Sequence, residues 1–157
     1  MMLIPTANPS AGTPTPTPIR SGSFWPELDP AIARSQMRLD GTVTDERLRA
    51  ALIEAIASVN SQLAEFRRQR QAGGVASLMA ITADEVDGQS VLVNRWYRAV
   101  LCLAAANLTE RYRSFDSTGA GDKKAADLDT TVDDLRRDAH WAITAIQGVP
   151  RTTVELI

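Results

Sequence analysis

A chain of 157 residues in which 17 lysines and arginines nearly balance 19 aspartates and glutamates has room for one ordinary domain and lacks a global basic field for nucleic acid. The single cysteine, Cys102, excludes an intramolecular disulfide and a cysteine-only metal cage, which suits a reducing compartment. The longest apolar run, 99–106, is less than half of a membrane span, and Met1–Pro5 has no positive n-region or apolar stretch, so neither a membrane protein nor a secreted one is expected.

Residues 1–23 carry Pro5, Pro9, Pro14, Pro16 and Pro18 among Thr, Ser, Ala and Gly, a composition with little apolar surface to offset ordering entropy. Alternating Thr-Pro favours polyproline II, so this segment reads as an extended arm. Phe24 and Trp25 follow, two bulky apolar side chains that need a surface to bury against.

Asp29-Pro30 pairs a capping side chain with a proline at the first helical position, and the spacing predicts a short helix through Leu39, ended by Asp40-Gly41. Thr44 caps a second helix with Asp45 and Glu46 in its first turn, where the dipole favours negative charge. Leu48, Leu52, Ile56, Val59, Leu63 and Phe66 recur at steps of four and three and form one stripe. Arg67, Arg68 and Arg70 crowd the last turn before Gly73-Gly74 supplies the stop. Residues 75–88 read as a connection ending in the turn-forming Asp87-Gly88.

A third helix, from about 90 to 112, is apolar on most sides and is therefore expected at the centre of the bundle. A loop through Gly119-Ala120-Gly121 precedes a fourth helix from about 123 to 147, striped by Leu128, Val132, Leu135, Ala139, Ala142 and Ile146 and closed by Gly148 and Pro150. The tail Thr152-Thr153-Val154-Glu155-Leu156-Ile157 turns β-branched and alternating, and a lone strand has to pair with something else. The fold class is thus all-α: a small bundle of three long helices and a short one, with an N-terminal arm (1–23), a helical domain (24–151) and a strand-like tail (152–157).

Groups for chemistry are sparse. His140 is the one histidine, Cys102 lies inside the most apolar helix, and neither indicates a catalytic residue. Asp127, Asp129, Asp133, Asp134 and Asp138 cluster on the fourth helix among Arg136 and Arg137, the pattern of a solvated face with internal ion pairs rather than a metal site. Gly119–Lys124 lacks the glycine spacing and the Ser/Thr ending of a phosphate loop. No catalytic, cofactor-binding or metal residue is therefore assigned. Arg67, Arg68, Arg70, Lys123 and Lys124 are candidates for phosphate or DNA-channel contacts. Phe24, Trp25, Thr152, Thr153, Val154, Leu156 and Ile157 are candidates for contacts with a neighbouring subunit or a larger partner, because arms exchanged between subunits add interface without enlarging a core.

Phe24–Pro30, Met37–Val43, Arg111–Arg113, Gly121–Ala125 and Ile146–Arg151 occur in an order that resembles the head completion proteins of contractile-tailed bacteriophages, the GPL family. The resemblance covers residues 24 to 157, with one departure at Arg136, where the family carries a bulky aromatic. It implies a non-enzymatic adaptor in the virion at the head-tail junction, assembled in the host cytoplasm. The implied partners are the portal protein, copies of itself in a dodecameric ring, a tail-side completion or terminator protein, and packaged DNA passing without sequence-specific binding. The alternative is a helical DNA-binding or packaging accessory protein, whose sign would be steeply salt-dependent binding through the arginines.

Overall fold

The computed structural model describes residues 17–39, 41–113 and 121–150, and for 112, 113 and 121–130 the helical backbone alone. The arm before Thr17, the loop at 117–120, the tail 152–157 and the side chains of Lys123 and Lys124 lie outside the described residues. Five helices carry the described fold: α1 (Pro30–Gln36), α2 (Asp45–Gln62), α3 (Ala64–Ala72), α4 (Val91–Arg113) and α5 (Gly121–Gln147). The all-α expectation holds.

Local chemistry explains where these helices start. The Asp29 carboxylate accepts the Ala31 amide at 2.8 Å with Pro30 at the first position of α1. Thr44 accepts from the Arg47 amide at the start of α2, whose first turn holds Asp45 and Glu46. Helix α1 stops at Gln36, short of the expected Leu39, because the chain turns left-handed at Arg38 with φ 52°. Arg34 then ties α1 to α2, donating to the Val43 carbonyl at 2.8 Å and pairing with Asp45 at 2.7 Å.

The long second helix foreseen from one stripe is two helices meeting at Leu63. Backbone bonds still cross the junction, from the Leu63 amide to Val59 at 3.0 Å and from the Arg67 amide to Leu63 at 2.9 Å, while Leu63 itself leaves helical geometry at φ −95° and ψ 8°. Leu63, at the junction, and Phe66 after it are both buried, so the stripe is preserved across the break.

Helix α4 is central, packed on α2 along one side and on α5 along the other. Trp96, Ala99, Val100, Ala104 and Ala106 are completely buried, and the alanines let the neighbouring helices approach closely. Helix α5 buries Val132, Ala139, Ala142, Ile143 and Ile146, close to its expected stripe.

The connection before α4 has more structure than a turn. A short 3-10 turn at Leu78–Ala80 precedes an antiparallel hairpin, β1 (Glu85–Val86) with β2 (Gln89–Ser90). Asp87 and Gly88 form its two-residue loop, both left-handed at φ 53° and 70° as a primed hairpin turn demands. Two-residue strands leave no alternation to detect in the sequence, whereas their turn is visible there.

Candidate assembly surface

The sequence left Phe24 and Trp25 in need of a surface, and the chain supplies it. They are 3 % and 4 % exposed. Trp25 stacks on Trp96 of α4 with ring centroids 6.2 Å apart, and Phe24 meets Trp25 edge-on at 4.8 Å, both within the favourable range for aromatic pairs. Full burial of such side chains contributes about 1.5–3 kcal/mol each. Both rings are covered by residues of the chain itself.

Polar bonds surround this aromatic cluster. The Trp96 indole donates to Asn60 of α2 at 2.9 Å, and the Asn60 amide donates to Ser21 at 3.0 Å. The Tyr97 hydroxyl donates to the Glu27 carbonyl at 2.7 Å, the Leu78 amide to the Phe24 carbonyl at 2.8 Å, and Ile19 exchanges both backbone bonds with Leu28 at 2.7 and 2.9 Å. Arg49 of α2 holds the Thr17 carbonyl at 2.6 Å. Backbone and side chain thus anchor the N-terminal segment from Thr17 onward, seven residues earlier than the expected boundary at Phe24.

The Trp96–Asn60 bond joins the last turn of α2 to the second turn of α4, so these termini share one end of the bundle. The C-terminus of α5 is there as well, because Gln147 donates to the Gln62 carbonyl at 3.1 Å. Helix α3, the hairpin and the point where the chain leaves toward its C-terminal residues are consequently grouped at this end.

Helix α3 carries the arginine cluster and buries one residue, Phe66. Arg68 is paired with Glu65, whose carboxyl is held below its usual pKa by the hydrogen bond from Arg68, then by that from Gln69 and by the charge of Arg68. Arg70 lies over the Phe66 ring at 5.1 Å. Among the described residues two buried side-chain donors lack an acceptor, Arg67 Nε and Trp25 Nε1. Asp84, Glu85 and Asp87 line the hairpin, where Val86 is 62 % exposed. Sequence reasoning saw this acidic segment only as a turn; three carboxylates within four residues beside Asp-Gly were the available signal.

The residues weighed for chemistry are spread out. His140 is exposed on α5. Cys102 is half-buried on α4, where burial and then the charge of Asp138 from α5 push its thiol pKa up, against a smaller lowering by Arg98. The α5 carboxylates make ion pairs, Asp138 with Arg98 at 3.0 Å and Asp134 with Arg137 at 2.6 Å. Arg136 of α5 bridges to Glu110 of α4 at 2.6 Å. Among the described residues no group of three or more His, Cys, Asp or Glu is arranged to hold a metal ion, and no helix is long and apolar enough to cross a membrane.

Fold and surface together define a mainly helical body with one apolar core and no polar or charged residue buried among those described. Residues 19–157 match the family of phage head completion proteins (GPL), and the chain belongs to that family. The head completion/stabilization protein of Escherichia phage P2 is similar, 44 % identical over 139 residues that span 88 % of this chain and 82 % of the phage P2 protein. No solved structure gives a significant match.

Proposed function

We propose that this protein is a head-tail connector: it docks beneath the portal after DNA packaging, forms a ring around the channel, helps retain the genome and provides the platform for tail attachment. The observation that carries this reading is the match to the phage P2 head completion/stabilization protein along nearly the whole chain. Two further features support it. A ring subunit needs a rigid body with segments that reach its neighbours, and residues 151–157 follow the end of the bundle where α3, the hairpin and the α5 C-terminus gather. A chain with net charge −2 suits a channel through which DNA slides, since many phosphate contacts would hold the duplex tightly. Twelve copies is the stoichiometry in this reading, and the strand-like tail, Thr152 to Ile157, pairs with a neighbouring subunit or the portal through main-chain hydrogen bonds.

The test is the mass of the purified protein alone and mixed with DNA-filled, portal-bearing heads, by light scattering followed by imaging of the head vertex. A ring found only at the portal vertex supports the connector; protein that ignores the heads overturns it. Removal of 152–157 should lower loading at the vertex, and unchanged loading would eliminate the tail as a contact.

A further inference from the structure

A head-to-tail ring differs from a two-fold dimer in what it asks of its subunit: two different patches, complementary to each other, at the same height on the body. Helix α3 and the β1–β2 hairpin meet the last condition, since the Trp96–Asn60 bond puts the end of α2 and the start of α4 at one end of the bundle. Their charges are opposite. Helix α3 has three arginines against one acid, Glu65, which is taken by Arg68. The hairpin segment has Asp84, Glu85 and Asp87, none with an ion-pair partner among the described residues, flanking the exposed Val86.

We propose that α3 is one half of a contact between adjacent copies of this chain, and that its occupant is the acidic hairpin of the second copy. The inference rests on the ring reading above. Arg70 and Arg67 face Glu85 and Asp84 of the neighbour across this contact, and Val86 is covered by it. Such a contact fixes register and partner choice, while the bulk of the ring interface supplies the area.

Duplex DNA is the competing occupant for the same arginines. With Arg68 neutralised by Glu65, two cations are left on α3, and a site that neutralises two phosphates has a salt slope of only about −2 and little affinity of its own. Three unpaired carboxylates on the same chain are the closer match.

Charge swapping separates the two. The full-length protein is prepared as Arg67→Glu with Arg70→Glu, as Asp84→Lys with Glu85→Lys, and with all four changes in one chain; each is added to portal-bearing heads at low salt and the copies bound per vertex are counted. All four side chains are at the surface or partly so, and circular dichroism with thermal unfolding of the free protein checks each variant's fold. The expected result is a loss of about tenfold in loading affinity for either reversal and recovery to within about twofold of the parent for the four-fold variant, because swapped charges still attract. Undiminished loading by either reversal alone, or no recovery on combination, overturns the proposal. Duplex-DNA binding lost in the α3 variant, kept in the hairpin variant and not regained in combination assigns the arginines to phosphate and overturns it too. Failure of the parent itself to load heads removes the ring reading and this inference with it, an outcome visible before any variant is tested. As a second measurement, Arg70→Cys with Glu85→Cys in a Cys102→Ala background should yield oxidative ladders of covalently joined subunits on loaded heads; dimers or higher species absent there count against the contact.

Discussion

The two halves of this bundle are held together differently. Where α2 meets α4, the Phe24–Trp25–Trp96 cluster and the fully buried Leu52, Val59 and Leu63 remove large apolar surfaces from water, and polar groups enter through matched bonds such as Trp96 to Asn60. Along α4 and α5 the buried set has no aromatic partner for Trp96 and mixes small residues, Ala104, Ala106, Ala139 and Ala142, with Val132, Ile143 and Ile146, while ion pairs at the surface, Arg98–Asp138 and Arg136–Glu110, span the seam. Alanines and branched aliphatics stand in the second region where aromatics stand in the first, and surface ion pairs add little in water. The aromatic end should therefore govern global stability, while the α4–α5 seam tolerates substitution.

Substitutions at five positions and one titration probe this contrast, in descending size. Trp96→Ala removes the centre of the aromatic cluster and should cost about 3–5 kcal/mol in denaturant unfolding. A cost below about 1.5 kcal/mol would mean that the α2–α4 end does not dominate. Asn60→Ala leaves the Trp96 indole N–H without its acceptor and releases Ser21, with an expected cost of about 1–3 kcal/mol; a neutral effect would show that water replaces the amide freely. Thr44→Ala removes the α2 cap for about 1 kcal/mol, and Thr44→Ser should restore most of it. Arg98→Ala or Arg136→Ala should cost under about 0.5 kcal/mol at low salt and nothing resolvable in molar salt, and a larger, salt-independent loss would reverse the comparison for the seam.

The titration concerns Glu65. Its pKa is depressed in the folded chain, so its contribution is present above the ordinary carboxylate pKa and fades as pH falls through the lowered value. Acid should therefore fray α3, seen as a small loss of helical dichroism that Glu65→Gln no longer shows.

What could be read from residues alone follows the same division. Every element with a long apolar stripe or an explicit cap was legible: Asp29-Pro30 and Thr44 mark the starts of α1 and α2, and the apolar residues on most sides of 91–108 mark α4 as central. The hairpin was legible only as Asp87-Gly88, since two-residue strands are too short for a period. The break at Leu63 left no mark, because the stripe runs through it without Gly or Pro. For the candidate surface, the arginine cluster and the acidic segment were each visible, but their grouping at one end was not.

Sequence by itself determined the fold class, the starts and caps of α1 and α2, the central place of α4 and the family, because periodicity, capping and colinear motifs are local or linear properties of the chain. Only the tertiary structure decided that Phe24 and Trp25 belong to the chain's own core, that Thr17 and Ile19 are part of the anchored body, and that α3 and the acidic hairpin share an end. Those facts depend on contacts between residues far apart in sequence, Trp25 with Trp96 and Asn60 with Trp96, and no local pattern specifies which distant partner a side chain will meet.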